Sequence, residues 1–449
     1  MERAEKREFL RSFAALCGMI VLQNVITLSV NLADNVMIGR YSEISLSGVA
    51  TVNQIQFVLQ SVIGSVGSGL VMLASQYWGQ GKTEPIRRLT AVAMRLGLII
   101  ASVIFLIVTI LPIKTVTLFT NDQAVISEGV KYLRIVSLSY IPFALTYVLL
   151  SMLQSVEIVK IATKLSLVTL VVNCSLNFIL IEGRFGAPSL GVRGAAIATL
   201  AARVVETVIA VIYVLRAERN VRFRFGELLR RDKLLARDYW RVSAPLLLTG
   251  ALWGFSNALR TVILGHMSTA AIAANSVVST VYELLKVAAV GASSAAAIVI
   301  GKTVGQGDVD RVKVRSRYLQ RIFVVIGFFI FASLLLLKTP VIRLYDLSEE
   351  TSKLVGEFIW VMAVAGWGMA YEMPTACGII RGGGDSKFVM KNDLISIWGI
   401  TLPVSFIAAF ALHMSPTVVM ACLNADQVFK CVPVYLHERK GNWIKKLTR

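Results

Sequence analysis

Gln23, Thr27, Asn31 and Asp34 lie four, four and three residues apart inside an otherwise apolar run, Phe13 to Met37. On a helix that spacing puts all four on one face. The run is long enough to cross a bilayer, which takes about 20 residues. A carboxylate in its last third costs at least roughly 2.5–3.5 kcal/mol to insert, so intramembrane acids usually have a task. A polar face ending in an acid suits a cavity in which the acid holds a proton or a cation. The plainer reading is a residue near a helix end that snorkels to water. Asn275, Ser279, Glu283 and Lys286 repeat the four, four, three spacing in a later apolar run. Glu283 and Lys286 read either as a self-neutralising pair or as a contact for a cationic substrate or a proton relay. Arg203 and Glu206 form a similar pair, which reads as structural.

Other chemistries are excluded by what their motifs require. GQGKT at 79–83 lacks the glycine a phosphate loop needs five residues before its Gly-Lys pair; Gln76 stands there. His266, His413 and His437 are too scattered for a zinc site. Cys17, Cys174, Cys377, Cys422 and Cys431 have no paired spacing and read as small apolar residues. No nucleophile elbow or HExxH motif occurs, so an enzyme is not expected. No cofactor is expected either.

The elements that must position these residues are membrane spans. The 449 residues are 56% hydrophobic, with a mean hydropathy of +0.69. Apolar runs of spanning length recur throughout. Twelve are expected, at 12–36, 46–77, 90–112, 130–153, 162–182, 192–215, 240–265, 270–301, 318–338, 353–379, 391–412 and 415–436. The N-terminal stretch MERAEKREFLR mixes acids and bases and lacks a small-residue cleavage site, so no signal peptide is expected. Basic residues concentrate in the N-terminal tail, alternate loops and the C-terminal tail; 216–241 alone holds nine. Positive residues favour the cytoplasmic side. An integral plasma membrane protein with both termini cytoplasmic is therefore expected. The net charge of +19 then reflects topology rather than a nucleic-acid partner.

The chain repeats itself at an offset of 226. GRYSEISLSGVATV at 39–52 aligns with GHMSTAAIAANSVV at 265–278, and WGQGK at 78–82 with VGQGD at 304–308. Gly39, Ser42 and Gly81 thus fall on Gly265, Ser268 and Gly307, and Asp34 falls on Arg260. Two six-span halves of like orientation form a parallel repeat, with the transport path expected between them. The expected organisation is an all-α membrane protein. It has a six-helix lobe at 1–215, a basic cytoplasmic linker at 216–239, a second six-helix lobe at 240–436, and a basic tail at 437–449. The two lobes are related by a parallel pseudo-two-fold repeat.

LADNVMIGR, then a long second span ending in SQYWGQGK, then RGGGDSKF after the tenth span, resemble the multidrug and toxic compound extrusion (MATE) transporters. The resemblance covers nearly the whole chain. It implies twelve helices in two lobes and the export of organic, often cationic, compounds in exchange for sodium ions or protons. It places the family's cation ligands on Asp34, Asn173, Asn177, Ala195 and Thr199, so that a sodium ion would be held by Asp34, Asn173, Asn177 and Thr199. Oxygen ligands of low total charge suit a monovalent hard cation or a proton. The asparagines and Thr199 read otherwise as hydrogen-bonding glue between helices. Thr27, Asn31, Trp253, Asn257, Asn275, Tyr282, Glu283, Tyr371 and Glu372 are expected to line the substrate cleft. Two departures set the second lobe apart: Gly250 stands where many relatives carry an acid, and Glu372 is the nearest substitute for a tenth-helix aspartate. The expected partners are a small organic substrate and membrane lipids, and a monomer is expected. The rival reading within the same superfamily is a flippase for lipid-linked oligosaccharides or peptidoglycan precursors, kept open by Arg203, Arg260 and Lys286.

Overall fold

The computed structural model describes residues 3–230, 232–344 and 348–448. Among the described residues twelve long helical stretches follow in order, with a short helix, Pro112–Thr117, between the third and fourth: α1 Arg3–Tyr41, α2 Glu43–Gly79, α3 Thr83–Ile110, α4 Gln123–Ser155, α5 Lys160–Leu180 and α6 Val192–Ala217, then α7 Lys233–Gly265, α8 Thr269–Gln306, α9 Val309–Leu344, α10 Glu349–Ile380 and α11 Ser386–Ala411. The twelfth, α12, is broken into Pro416–Asn424, Asp426–Phe429 and Cys431–Lys440. No strand occurs among the described residues.

The first eleven are long and apolar enough to cross a bilayer; the twelfth is interrupted by turns at Ala425 and Lys430. Several helices exceed the expected spans. The 37 residues of α2 extend about 55 Å at 1.5 Å per residue, well beyond a hydrocarbon core of about 30 Å. Apolar side chains such as Ile99, Val103 and Ile110 of α3 and Val325 and Phe329 of α9 lie exposed. Such faces need lipid.

The repeat legible in the sequence recurs in the local structure. Ser42 and Ser268, both extended (φ −165° and −163°), cap α2 and α8, accepting from the backbone N–H of Ser45 and Ala271. A serine N-cap satisfies a donor the first helical turn leaves free. Gly81 and Gly307, at φ +71° and +84°, turn the chain after α2 and α8. That left-handed geometry favours glycine.

Packing divides the chain into two compact units, residues 22–247 and residues 1–21 with 248–449. The limits differ from those expected for the lobes at two helices. The first part of α1 packs with the second half of the chain: Glu5 pairs with Arg311 at 3.1 Å and Lys6 sits over the Tyr318 ring at 4.5 Å. A Cβ on Gly291 of α8 would come within 2.4 Å of Val21, so glycine permits that approach. The first part of α7 packs with the first half, where the Tyr239 hydroxyl donates to the Val66 carbonyl at 2.7 Å. Each unit has its own core. Ile38, Val52, Leu59, Leu133 and Val136 centre the first; Ala274, Val278, Ile330, Val355 and Phe358 centre the second.

The basic segment expected as a linker is folded. Burial of Val221 and Phe223 anchors it. The Glu218 carboxylate accepts from the backbone N–H groups of Asn220, Val221 and Arg222. Arg88 of α3 reaches Asp232 at 3.0 Å. The C-terminal tail is also docked. Trp443 is fully buried and donates to the Glu438 carbonyl at 2.8 Å, and Lys445 pairs with Asp385 at 2.9 Å. The RGGGD stretch thus does more than end α10. Gly384 takes φ +111°, and a Cβ on Gly383 would meet the Trp443 ring at 2.2 Å.

Candidate functional site

Within residues 22–247, five helices converge on Asp34. The α1 residues around it are exposed or half-buried, and the buried Ile38 enters the apolar core one turn later. On α5, Thr169, Asn173 and Asn177 lie four positions apart, and all three are buried. A buried amide needs partners. Asn177 Nδ2 donates to Asp34 Oδ1 and, at 3.1 Å, to Asn173 Oδ1. Asn173 Nδ2 donates to Thr199 Oγ1 on α6 at 3.4 Å. Thr199, Asn173, Asn177 and Asp34 therefore form one chain of hydrogen bonds across α6, α5 and α1.

The Asn177 Oδ1 atom is buried and accepts no hydrogen bond. A buried unpartnered oxygen beside a carboxylate is an available ligand for a proton-bearing group or a hard cation. Asp34, Asn173 and Thr199 line a cavity together with Asn31, Gln56, Tyr132 and Arg203. Its free volume is about 50 Å³. One water needs roughly 10–15 Å³ on that measure, so the cavity suits an ion with a few waters and is too small for an organic molecule.

Four of the five residues expected as cation ligands are thus brought together. Ala195 is buried in the apolar core beside Val192 and Ala196, outside the cavity lining. Of the two α1 residues expected in the cleft, Asn31 lines this cavity. Thr27 is exposed, and its hydroxyl donates to the Gln23 carbonyl at 3.0 Å.

The sequence reading missed Gln56 and Tyr132, and it read Arg203 as structural. Asn53, Gln56 and Gln60 on α2 all line the cavity, and their three and four spacing was a usable signal. Tyr132 carries no such pattern. Arg203 does pair with Glu206, at 2.8 Å, and also lies over the Phe143 ring at 5.3 Å. It therefore faces the cavity with part of its charge already balanced.

The remaining expected cleft residues lie in the unit of residues 248–449. Glu283 and Lys286 pair at 2.7 Å, and Lys286 sits over the Trp253 ring at 5.7 Å. The Ser279 hydroxyl donates to Asn275 Oδ1 at 3.3 Å. Asn257 is half-buried. Tyr282 is buried and donates to Gln427 on α12 at 2.8 Å. Tyr371 donates to Gln320 on α9 at 2.8 Å.

Glu372 is buried in a charge network that the sequence reading did not anticipate. Lys430 of α12 lies 3.6 Å from Glu372, 3.0 Å from Asp393 and 3.5 Å from Asp426; Arg260 of α7 reaches Asp426 at 3.1 Å. A buried charge is tolerable only when paired and hydrogen-bonded, and here two cations face three carboxylates. The i, i+4 pair Asp426 and Lys430 inside an apolar span was visible in the sequence; its partners come from three other helices. Arg260, the repeat equivalent of Asp34, is thus held by an acid of its own unit.

The MatE family profile matches residues 20–179 and 245–407, most of the chain. A probable multidrug resistance protein NorM of Thermotoga maritima is 26% identical over 441 residues, covering 95% of this chain and 92% of the relative. An uncharacterized transporter YisQ of Bacillus subtilis is 22% identical, covering 92% and 90%. Among solved structures, a variant of the Vibrio cholerae MATE transporter VcmN has a TM-score of 0.89 at 19% identity, covering 99% of both chains. A MOP superfamily transporter from Pyrococcus furiosus has a TM-score of 0.88 at 16% identity, covering 97% and 96%. With helix order, internal repeat and family profile in agreement along the chain, the protein belongs to the MatE family, the multidrug and toxic compound extrusion transporters.

Proposed function

We propose that the chain is a secondary active antiporter, exporting organic cations in exchange for protons or sodium ions by alternating access, with Asp34 as the coupling residue. The observation that supports this most is a single carboxylate set among amide and hydroxyl oxygens in an ion-sized cavity. In a site of low dielectric a bare carboxylate is costly. Asp34 therefore holds the Asn177 amide, a proton or a cation. The first and last of these compete at Asn177. Its NH₂ now faces Asp34, whereas a shared cation would need its carbonyl oxygen, the atom left unpartnered. A half-turn of the amide exchanges one arrangement for the other. Cation entry would then replace the Asp34–Asn177 hydrogen bond with ligation by Asp34, Asn173, Asn177 and Thr199.

Neutralising Asp34 also changes the cost of presenting α1 to the opposite side of the membrane. Only such a difference between states lets an ion drive a transition. Relatives described as probable multidrug resistance proteins support an organic substrate. The aromatic faces of Trp253, Tyr282 and Tyr371 suit an organic cation. The protein would work as a monomer in the plasma membrane with both termini in the cytoplasm.

The test is efflux of a fluorescent organic cation from vesicles containing the purified chain, with sodium and proton gradients imposed separately. Efflux should follow at least one gradient and stop when that gradient is collapsed. No gradient-dependent efflux under either condition would reject antiport.

A further inference from the structure

A cavity of about 750 Å³ opens beside the first turns of α9, within the unit of residues 248–449. Lys313, Arg317 and Arg321 of α9 and Arg439 of α12 line it. The acid in the lining, Glu438, is buried and accepts from the Ser316 hydroxyl at 2.6 Å. None of the four cations pairs with a described carboxylate. Two rest instead on aromatic rings: Arg321 lies 5.7 Å from the centre of Tyr318 and Arg439 lies 5.0 Å from that of Tyr435. Four cations against one acid leave the cavity strongly positive.

Basic residues at a membrane boundary follow from topology alone. Topology does not require them to share a cavity or to be in register. Lys313, Arg317 and Arg321 are four residues apart and all exposed, so they form one stripe on α9. The next positions on that stripe, Val324 and Phe328, are 43% and 59% exposed. Within one turn the stripe passes from guanidinium to hydrocarbon. That is the order of chemistry along a phospholipid, from headgroup to acyl chain. Guanidinium groups bind phosphate with geometric specificity, and basic pockets between membrane helices suit anionic headgroups.

We propose that this cavity binds the phosphate headgroup of an anionic phospholipid, its acyl chains lying along Val324 and Phe328. The lining shares Tyr371 with the expected substrate cleft, its hydroxyl donating to Gln320, and includes neither Asp34 nor Lys430.

The test titrates the purified full-length chain in detergent with short-chain phosphatidylglycerol, phosphatidylcholine or inorganic phosphate, reading bound lipid by native mass spectrometry and bound phosphate by calorimetry. Phosphatidylglycerol should bind saturably, and phosphatidylcholine and phosphate at least tenfold more weakly, given about tenfold or more from paired basic contacts. Arg317→Gln/Arg321→Gln should weaken phosphatidylglycerol binding on the order of tenfold to thirtyfold. Lys160→Gln/Lys164→Gln, which removes two exposed lysines of the other unit, should leave it unchanged. If the double arginine variant does not fold, Arg439→Gln carries the same expectation. Equal binding of phosphatidylcholine, or equal losses in the arginine and lysine variants, would overturn the proposal. Phosphate binding as tightly as phosphatidylglycerol would overturn its lipid part.

Discussion

Asn177 is buried, donates to both Asp34 and Asn173, and keeps an unpartnered carbonyl oxygen. Its removal therefore strips the carboxylate of a charge-assisted hydrogen bond and the proposed cation of a ligand. A hydrogen bond to a charged group contributes about 1.5–3 kcal/mol. Asn177→Ala should accordingly weaken the apparent affinity for the coupling ion by roughly tenfold to a hundredfold, read from the ion dependence of efflux; an unchanged dependence would remove Asn177 from the site. Lys430 makes a different kind of claim. It faces three carboxylates inside the second unit. Breaking a buried ion pair by removing one partner costs about 3–5 kcal/mol, so Lys430→Met should lower thermal stability markedly. A melting temperature equal to the wild type would mean that the acids are already neutral. Glu283, by contrast, has Lys286 beside it at 2.7 Å. Glu283→Gln should weaken transport less than Asp34→Asn, and the reverse order would move the coupling site into the second unit. At this scale the sequence was informative where one helix carries the pattern. Asp34, Asn173 and Asn177 stood out through regular spacing among apolar residues. Gln56, Tyr132 and the Lys430 network did not, because their meaning comes from partners on other helices.

At the scale of elements, the sequence located the spans well and their ends poorly. Hydrophobic length marks where a helix can cross lipid, but α2 and α8, at 37 and 38 residues, are longer than a crossing needs and run on to capped ends and glycine turns. The segments 216–239 and 437–449 read as solvated linker and tail because their charges dominate their few apolar residues. The structure buries those few, Val221, Phe223 and Trp443, and folds the charged residues around them. The docking of the C-terminal tail rests on Asp385. Burial pushes its carboxyl up, but Lys445 and then His437 and the Phe388 N–H outweigh that and hold the group below the usual carboxylate range. Its folded value is depressed, so its stabilisation is fully present above the ordinary value of about pH 4 and is lost as pH falls through the lowered value. Hydrogen exchange at 441–448 should therefore rise in strong acid and, at neutral pH, in Asp385→Asn. Gly383→Ala should loosen the same segment, since the added Cβ meets the Trp443 ring at a cost of about 1–3 kcal/mol. Unchanged protection in both variants would show that the tail is held by other contacts.

For the whole molecule, the alternation of basic loops argues that both termini face the cytoplasm. Single cysteines placed at Lys6, Asn121 and Lys446, in a chain whose five native cysteines are replaced, would report this by impermeant thiol labelling in intact cells. Labelling at Asn121 alone is expected; labelling at either end would invert the topology. The duplicated caps and turns also show why the fold was legible from end to end while its function was less so. Structural positions such as Ser42 and Ser268 were kept in both halves, whereas Asp34 in one half faces Arg260 in the other. That asymmetry concentrates the proposed ion chemistry in one unit, and it makes a single substitution the sharpest test. Asp34→Asn keeps the side chain's size and removes its charge. Efflux and equilibrium binding of an organic cation should be measured on this variant in vesicles, beside the wild type. In this variant substrate should still bind while gradient-driven efflux stops; efflux at the wild-type rate would remove Asp34 as the coupling residue.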